Sequence, residues 1–246
     1  VPVVYASRLV RLHLGKTDID AALKEITGQV EGAEATAIER RKSRWAALAR
    51  AAGAKDRVAE LARDLLGHFL ERRKTLRGKA MIVCMARENC VRLYDALRAL
   101  PGCPEIKVVM TGDLGTDPKA WSEAGHLTTK TQRDAIKARM KDITDPLQMV
   151  IVCDMWLTGT DIPCLHTLYI DKPMRGHNII QAISRVNRIF NDKPHGMVVD
   201  YIGIGDDLRA ATALYSKGGG MGQPAPNIED TARPLFDECL RAVRGL

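Results

Sequence analysis

Met149-Val150-Ile151-Val152-Cys153-Asp154, Met155-Trp156-Leu157-Thr158-Gly159-Thr160-Asp161-Ile162-Pro163 and Thr167-Leu168-Tyr169-Ile170-Asp171 are the stretch on which the fold of this 246-residue chain turns. Its two apolar runs are short and continuous, the pattern of strands buried on both faces of a parallel sheet. Between them, Gly159 tolerates positive φ or a close backbone approach to a ligand. Asp161 offers a carboxylate to a sugar hydroxyl or an arginine, and Pro163 disfavours helix at Ile162. Lys172-Pro173 stops the second strand. Beyond it, Gln181-Ala182-Ile183-Ser184-Arg185-Val186-Asn187-Arg188 follows helical spacing, with Ile179, Ile180, Ile183, Val186 and Ile189 as the apolar stripe. That spacing predicts Gln181, Arg185 and Arg188 on one helix face. Two guanidinium forks on one face suit a polyphosphate, which accepts bidentate, charge-assisted bonds; a solvated basic face is the alternative reading.

Outward from this stretch, strands alternate with helices. Residues 80–85, 106–110 and 197–201 read as further strands, and 87–100 and 128–142 as helices. The alternation predicts βαβ units and an α/β fold with a mostly parallel sheet flanked by helices. Loops at the carboxyl ends of such strands form the default ligand crevice, where Thr158, Gly159 and Asp161 are expected. The first third reads differently. Residues 1–17 are irregular or short strand, 33–52 are helical, and 55–74 form a second helix with Val58, Leu61, Leu65, Leu66, Phe69 and Leu70 on its apolar stripe. Arg57, Arg63, Arg72, Arg73 and Lys74 are expected on that helix's polar face. Residues 206–217 and 228–244 look helical, joined by the flexible Gly218-Gly219-Gly220-Met221-Gly222-Gln223-Pro224. The division that follows is a helical basic lead-in over 1–77, the α/β unit over 78–204, and the start of a helical region over 205–246.

Composition sets the outer bounds. The net charge of +7 lies entirely in residues 1–80, which carry 17 Lys plus Arg against 10 Asp plus Glu; the remainder carries 20 of each. A basic excess favours polyanions such as a DNA backbone, though the same charge also keeps a surface soluble. The six cysteines form no Cys-x-x-Cys pair and several sit in apolar runs, which suits a reducing cytoplasm better than a disulfide framework. No apolar run has the roughly 18 residues that a membrane span needs, and no segment resembles a signal peptide. His166 and His177 lack partners at metal spacing, so no metal site is predicted.

The order strand, Thr158-Gly159-Thr160-Asp161 loop, strand, arginine segment resembles motifs V and VI in the second motor domain of superfamily 2 helicases and translocases. The resemblance is closer to the R (restriction, motor) subunit of type I restriction enzymes. It is carried by Asp154 to Pro163, Leu168-Tyr169-Ile170-Asp171-Lys172-Pro173, Gln181 to Arg188, and Gly196-Met197-Val198-Val199-Asp200-Tyr201, and it covers about residues 78–204. Trp156 is an insertion against the family pattern, and Thr160 and Ile162 replace its usual aromatic and alanine, which bears on pocket shape.

The resemblance implies a RecA-like domain whose ATP is held mainly by a first RecA-like domain. This chain has no Gly-x-x-x-x-Gly-Lys-Ser/Thr phosphate loop and no Asp-Glu-x-His box, so by itself it is expected neither to bind ATP tightly nor to hydrolyse it. In the complete enzyme, ATP and Mg²⁺ are the implied cofactors. Arg188 matches the arginine finger, Arg185 a second phosphate contact or a link across the cleft, and Gln181 a residue coupling nucleotide to domain closure. Gly159 and Asp161 match positions near the ribose and the domain interface. Thr158, Thr111 and Gly112 match positions facing DNA, whose hydroxyl and amide groups contact phosphate without reading bases. Arg87, with Glu88 and Asn89, either meets DNA or caps a helix. Implied partners are double-stranded DNA and the modification and specificity subunits. The competing readings are a motor domain of another superfamily 2 DNA or RNA helicase, and a nucleic-acid-binding adaptor with a degenerate motor fold.

Overall fold

The computed structural model describes residues 3–8, 45–112, 117–157, 159–191, 193 and 195–210. Within them a six-stranded sheet has the order β1-β6-β5-β2-β4-β3. Its strands are β1 (Val3–Ser7), β2 (Lys79–Cys84), β3 (Glu105–Val109), β4 (Leu147–Val152), β5 (Leu165–Asp171) and β6 (Gly196–Asp200). Every adjacent pair is parallel. Parallel neighbours need crossovers, and helices supply them here: α1 (Lys55–Thr75), α2 (Arg87–Arg98), α3 (Lys119–Glu123), α4 (Lys130–Lys141) and α5 (His177–Val186).

Strand alternation divides the core. Met81, Val83, Val150, Val152, Leu168 and Ile170 pack against Ile179, Ala182, Ile183 and Val186 of α5 and Met140 of α4. Ala80, Ile82, Ile106, Val108, Met149 and Ile151 pack against Val58, Leu61, Leu65 and Phe69 of α1 and Leu93 and Leu97 of α2. Each fully buried large apolar side chain contributes about 1.5–3 kcal/mol, so both helical layers are integral to the sheet. α4 begins at a reciprocal cap in which Gln132 N donates to Thr129 Oγ1 at 3.3 Å and Thr129 N to Gln132 Oε1 at 2.8 Å.

Three expectations are corrected. The boundary at 77/78 does not separate a lead-in from the α/β unit among the described residues, because β1 pairs with β6 and α1 covers one face of the sheet. Arg57 is not on a solvated face: it is buried and paired with Asp171 at 2.6 Å. The arginine helix ends early. Asn187, at φ −85° and ψ 49°, is the C-cap of α5, so Arg188 and Ile189 lie beyond the helix. Ile189, expected on the apolar stripe, is 82% exposed. The 3.6-residue period ran past the end of the packing that sustains it. Residues 205–210 are helical, as part of the expected 206–217 helix; the predicted 228–244 helix lies outside the described residues.

Candidate functional site

The loop over 153–164 leaves the carboxyl end of β4 and returns across the sheet to the start of β5. Two left-handed residues turn it. Trp156, the residue inserted against the family pattern, takes φ 68° and is buried, while Gly159 takes φ 66°. Nothing lies within 4 Å of a Cβ built on Gly159, so its backbone conformation, not a close approach, requires glycine. Ile162 then anchors the return in the core.

The arginine segment meets this loop. Arg185 donates through Nη1 to the Thr160 carbonyl and through Nε to the Gln181 carbonyl, the latter at 3.1 Å. Arg188 approaches Asp161 through Nε at 3.5 Å, both side chains about half-exposed. Burial pushes the Arg185 pKa down from its ordinary value; the neighbouring Arg188 charge pushes the same way and Asp161 opposes it. The two cations thus repel across a partly desolvated patch that a bound anion would relieve. The Gln181 amide nitrogen lies against His177 Nε2, and its carbonyl also accepts from Ser184. Gly159, Thr160, Asp161, Gln181, Arg185 and Arg188 are therefore one neighbourhood. Thr158 lies outside the described residues.

This neighbourhood is not the carboxyl-edge crevice expected for it. Lys193 Nζ donates to the carbonyls of Pro163 at 3.3 Å, Leu165 at 3.2 Å and Val186 at 3.1 Å, which ties the end of α5 to the entry of β5. Three carbonyls around one ammonium hold the loop's return and the end of the arginine helix in a fixed relation. Asp161, two residues before Pro163, and Arg188, two residues after Val186, meet next to this junction between the end of α5 and the start of β5. The carboxyl edge is occupied by structural pairs instead. Lys172 donates to Asp154 and lies 5.6 Å over the Trp45 ring. Arg57 holds Asp171 by two bonds and donates to the Ala52 and Tyr201 carbonyls. Burial raises the Asp171 pKa while Arg57 opposes the rise. Asp200 accepts from Tyr5 Oη and from the amides of Ile202, Gly203 and Ile204. None of these roles was legible in the sequence, although Asp171 and Asp200 stand in quoted motifs.

The second set of candidates stands elsewhere. Thr111 and Gly112 follow β3, the edge strand, and both are exposed. A Cβ on Gly112 would come 2.7 Å from Leu127 Cδ1, so glycine permits close packing there. Arg87 donates to the Thr111 carbonyl at 3.2 Å and to Asp117 at 2.6 Å. The capping alternative fails for Arg87, Glu88 and Asn89: the N-cap of α2 is Ala86, with no side-chain cap bond. Asn89 is buried and donates to the Ala49 carbonyl. No bond among the described residues links this set to the arginine neighbourhood. No group of three or more His, Cys, Asp or Glu side chains among them is placed to hold a metal ion, and no described helix is long and apolar enough to cross a membrane.

Comparison with known proteins gives this geometry a context. Residues 119–203 match the model of the type I restriction enzyme subunit R domain 3 family. Over 216 residues, 88% of the chain, it is 43% identical to a Methanocaldococcus jannaschii protein assigned as the type I restriction enzyme MjaIXP endonuclease subunit, covering 20% of that protein. Across its whole length it is 40% identical to the type I restriction enzyme HindI endonuclease subunit of Haemophilus influenzae, covering 23% of it. A solved fragment assigned as an HsdR subunit of a type I restriction enzyme from Vibrio vulnificus YJ016 superposes with a TM-score of 0.51 at 16% identity. It covers 91% of this chain and 35% of the fragment. That likeness concerns the fold, which is RecA-like. The chain spans about a fifth of the length of the two relatives.

Proposed function

Since the chain belongs to the R (endonuclease) subunits of type I restriction enzymes, we propose that it is the second motor domain of an ATP-dependent DNA translocase. It would supply one wall of an ATP cleft whose other wall is a first RecA-like domain of the longer polypeptide. The observation that carries this reading is the convergence of Arg185 and Arg188 on the Gly159–Asp161 loop. Arg185 is oriented by two backbone carbonyls, and among the described residues Arg188 has only a long contact to a half-exposed carboxylate. A guanidinium held this loosely is free to turn toward a triphosphate.

In this reading Arg188 acts as the finger, stabilising charge that spreads over the γ-phosphoryl oxygens. Arg185 sets the position of the loop and contributes a second positive charge. Gln181 and Asp161 border the cleft, and Gly159 gives the loop the turn that brings Asp161 to the arginines. The donor set fits phosphate oxygens. Among the described residues no carboxylate cluster is placed to hold Mg²⁺; in this reading residues of the first domain would hold the metal, which would supply positive charge to the phosphates. Thr111 and Gly112, with Thr158, would form part of a sequence-neutral DNA track. Arg87 would belong to that track through its hold on Thr111. Residues 205–246 would open a helical region, and modification and specificity subunits would complete the assembly.

The test uses the intact subunit with its partner subunits and double-stranded DNA. Arg188→Ala is expected to lower DNA-stimulated ATP turnover by about 10³-fold or more while leaving DNA binding intact. The 246-residue chain alone should show no turnover above background. Near-normal hydrolysis by the variant, or brisk hydrolysis by the chain alone, would remove the basis of the assignment.

A further inference from the structure

The outer face of the layer built by α1 and α2 takes no part in the motor reading. Where the first half of α1 passes the second half of α2, a groove of about 640 Å³ lies open on the surface. Its lining is mostly apolar: Val58 and Ala59 from α1, Ala96 from α2, and Ala99 and Leu100 at the exit of that helix. Residues four apart stand on one ridge of a helix. Lys55, Ala59 and Arg63 thus form one wall, and Arg92, Ala96 and Leu100 the other. Leu61, Leu65, Leu93 and Leu97 lock the two helices together in a common core, and Arg92 donates to the Gly53 carbonyl at 2.6 Å at one end. The groove is therefore a fixed feature of the packed layer, and its three alanines leave room for larger side chains.

Charge on the rim is one-sided. Lys55 and Arg63 are exposed and make no hydrogen bond or ion pair with any described residue. They stand eight residues apart, about 12 Å along α1. On the facing wall, Arg92 is already held by Glu88 and Gly53, and Asp95 is the one acid of the lining. The α1 ridge continues to Gly67, an exposed glycine inside the helix. Nothing lies within 4 Å of a Cβ built there, so no packing among the described residues uses the missing side chain, which a closely crossing backbone would. A strand or irregular segment over this floor would leave backbone N–H and C=O groups unpaired. A helix pairs its own and presents a ridge that fits between two others. Size narrows the source of that helix. A contact about 12 Å long and one helix wide falls far below the roughly 800 Å² per partner buried by a stable complex of separate proteins. A tethered segment loses less freedom on docking and needs less contact. The chain spans about a fifth of the length of its two relatives, so polypeptides of this family carry ample further sequence.

We propose that this groove is the docking site of an amphipathic helix from another part of the same long polypeptide, outside residues 1–246. Its large apolar side chains seat over Ala59, Ala96 and Ala99. Its flank toward α1 carries two acidic residues seven or eight positions apart, opposite Lys55 and Arg63. Its other flank is neutral or basic opposite Asp95. This rests on the chain being one part of an intact R subunit and not on the roles given to Arg185 and Arg188.

The test uses the intact R subunit without its partner subunits. Ala99→Cys places a thiol in the groove, and Lys141→Cys places a control thiol at an exposed position of α4. Both are labelled with N-ethylmaleimide, and the rate at each position is read by peptide mass spectrometry. Labelling at Ala99→Cys is expected to be slower by about tenfold or more, because the thiol reacts only when the helix lifts. Adding Lys55→Glu and Arg63→Glu should cut that protection about threefold or more, since two ion pairs become two repulsions. A circular dichroism melt checks that each variant is folded. A photoreactive benzoylphenylalanine at position 99 then identifies the occupant. The expected cross-link is intramolecular, to a segment outside residues 1–246 with helical apolar spacing and the two acids. Four results overturn the proposal: labelling at the control rate, protection that appears only after the modification and specificity subunits are added, protection unchanged by the charge reversals, or a cross-link within residues 1–246 or to a second copy of the subunit.

Discussion

Arg57 with Asp171 and Arg188 with Asp161 are both arginine–aspartate pairs that touch the motif region, and they are built in opposite ways. The first is buried, its side chains 1% and 3% exposed, with contacts at 2.6 and 3.1 Å. Arg57 also donates to two carbonyls, one at the end of the 45–52 helical run and one just past β6. The second is 47% and 58% exposed and rests on a single 3.5 Å approach. A buried ion pair is tolerable only when its donors are satisfied within the protein, so Arg57 has nothing to offer a ligand. Arg188 keeps most of its fork for another acceptor. Membership of a motif does not distinguish the two; burial and satisfaction do.

The contrast is broken most forcefully from the buried side. Arg57→Ala leaves an uncompensated carboxylate at Asp171 and is expected to cost about 3–5 kcal/mol in urea unfolding of the chain. The double variant Arg57→Met/Asp171→Leu should recover most of that loss, because removing both charges also removes the desolvation penalty. A loss below about 1 kcal/mol for Arg57→Ala would place the pair with ordinary surface bridges.

A smaller effect sharpens the exposed side through its scaffold. A Cβ on Gly196 would lie 2.3 Å from the Val186 carbonyl oxygen, at the end of α5. Gly196→Ala must therefore displace backbone, at a cost of about 1–3 kcal/mol by thermal unfolding. The same carbonyl accepts from Lys193, so the shift is transmitted to the segment carrying Arg185 and Arg188. Unchanged stability would show that the end of α5 yields freely and that the arginines are not held by it.

How much of this was legible follows the same division. Continuous apolar runs at 80–85 and 167–170 match strands within a residue or two of those observed, and the run at 150–153 falls in a strand that starts three residues earlier, at Leu147, because burial on both faces leaves a pattern that few alternatives produce. The βαβ order and the gathering of Gly159, Asp161, Gln181 and Arg185 were readable for the same reason, since loops and helices of fixed order have few ways to pack. The end of α5 was not readable: Ile189 continues the apolar period, but no core remains for it to meet. Arg57 was misplaced because a single arginine on an otherwise charged helix face carries no sign of its partner 114 residues away. The position of Gly159 and Asp161 was expected at the carboxyl edge because the sequence carries no sign of the loop's return toward β5, where Lys193 ties Pro163 and Leu165 to the end of α5. The bulge at His166, where Lys79 pairs with Leu165 and Ala80 with Thr167, and the depth of Arg72 were equally invisible, since both arise from register and packing.

Acid titration separates the buried basic cluster from the exposed pair. Burial is the largest cause holding His166 at a pKa of about 3 and His68 at about 4, against an ordinary 6.5. Arg72, Lys193, His68 and Arg73 push His166 further down; Arg8 and Arg72 do so for His68, with Asp64 opposing. Both imidazoles are neutral in the folded chain at pH 6 but take up protons in the unfolded one. The stability they contribute is complete above pH 6.5 and is lost as pH falls toward 4. The limiting slope is about 1.4 kcal/mol per pH unit for each histidine. Burial also pushes His126 and His195 down, so urea midpoints from pH 7.5 to 5 should fall for the wild-type chain, and His166→Asn should make the fall shallower without abolishing it. Parallel curves for the two proteins would mean that His166 titrates normally.

The smallest expected effect is on the stability of the exposed pair itself. Asp161→Asn removes the carboxylate at 3.5 Å from Arg188 but leaves a side chain of the same shape. Half-exposed charges at that distance are screened by water and salt, so the change in unfolding free energy should be about 0.2–1 kcal/mol, shrinking further in 0.5 M salt. The Thr160 carbonyl still holds Arg185, because that bond is made by the backbone and does not need the Asp161 charge. A chain that tolerates this substitution is one in which Arg188 is not required for folding, which is the condition under which a defect of Arg188→Ala in the intact subunit reports chemistry. A loss above about 2 kcal/mol would mean instead that Asp161 and Arg188 are structural, like Arg57 and Asp171, and that the arginine expected to reach a triphosphate is already committed to the fold.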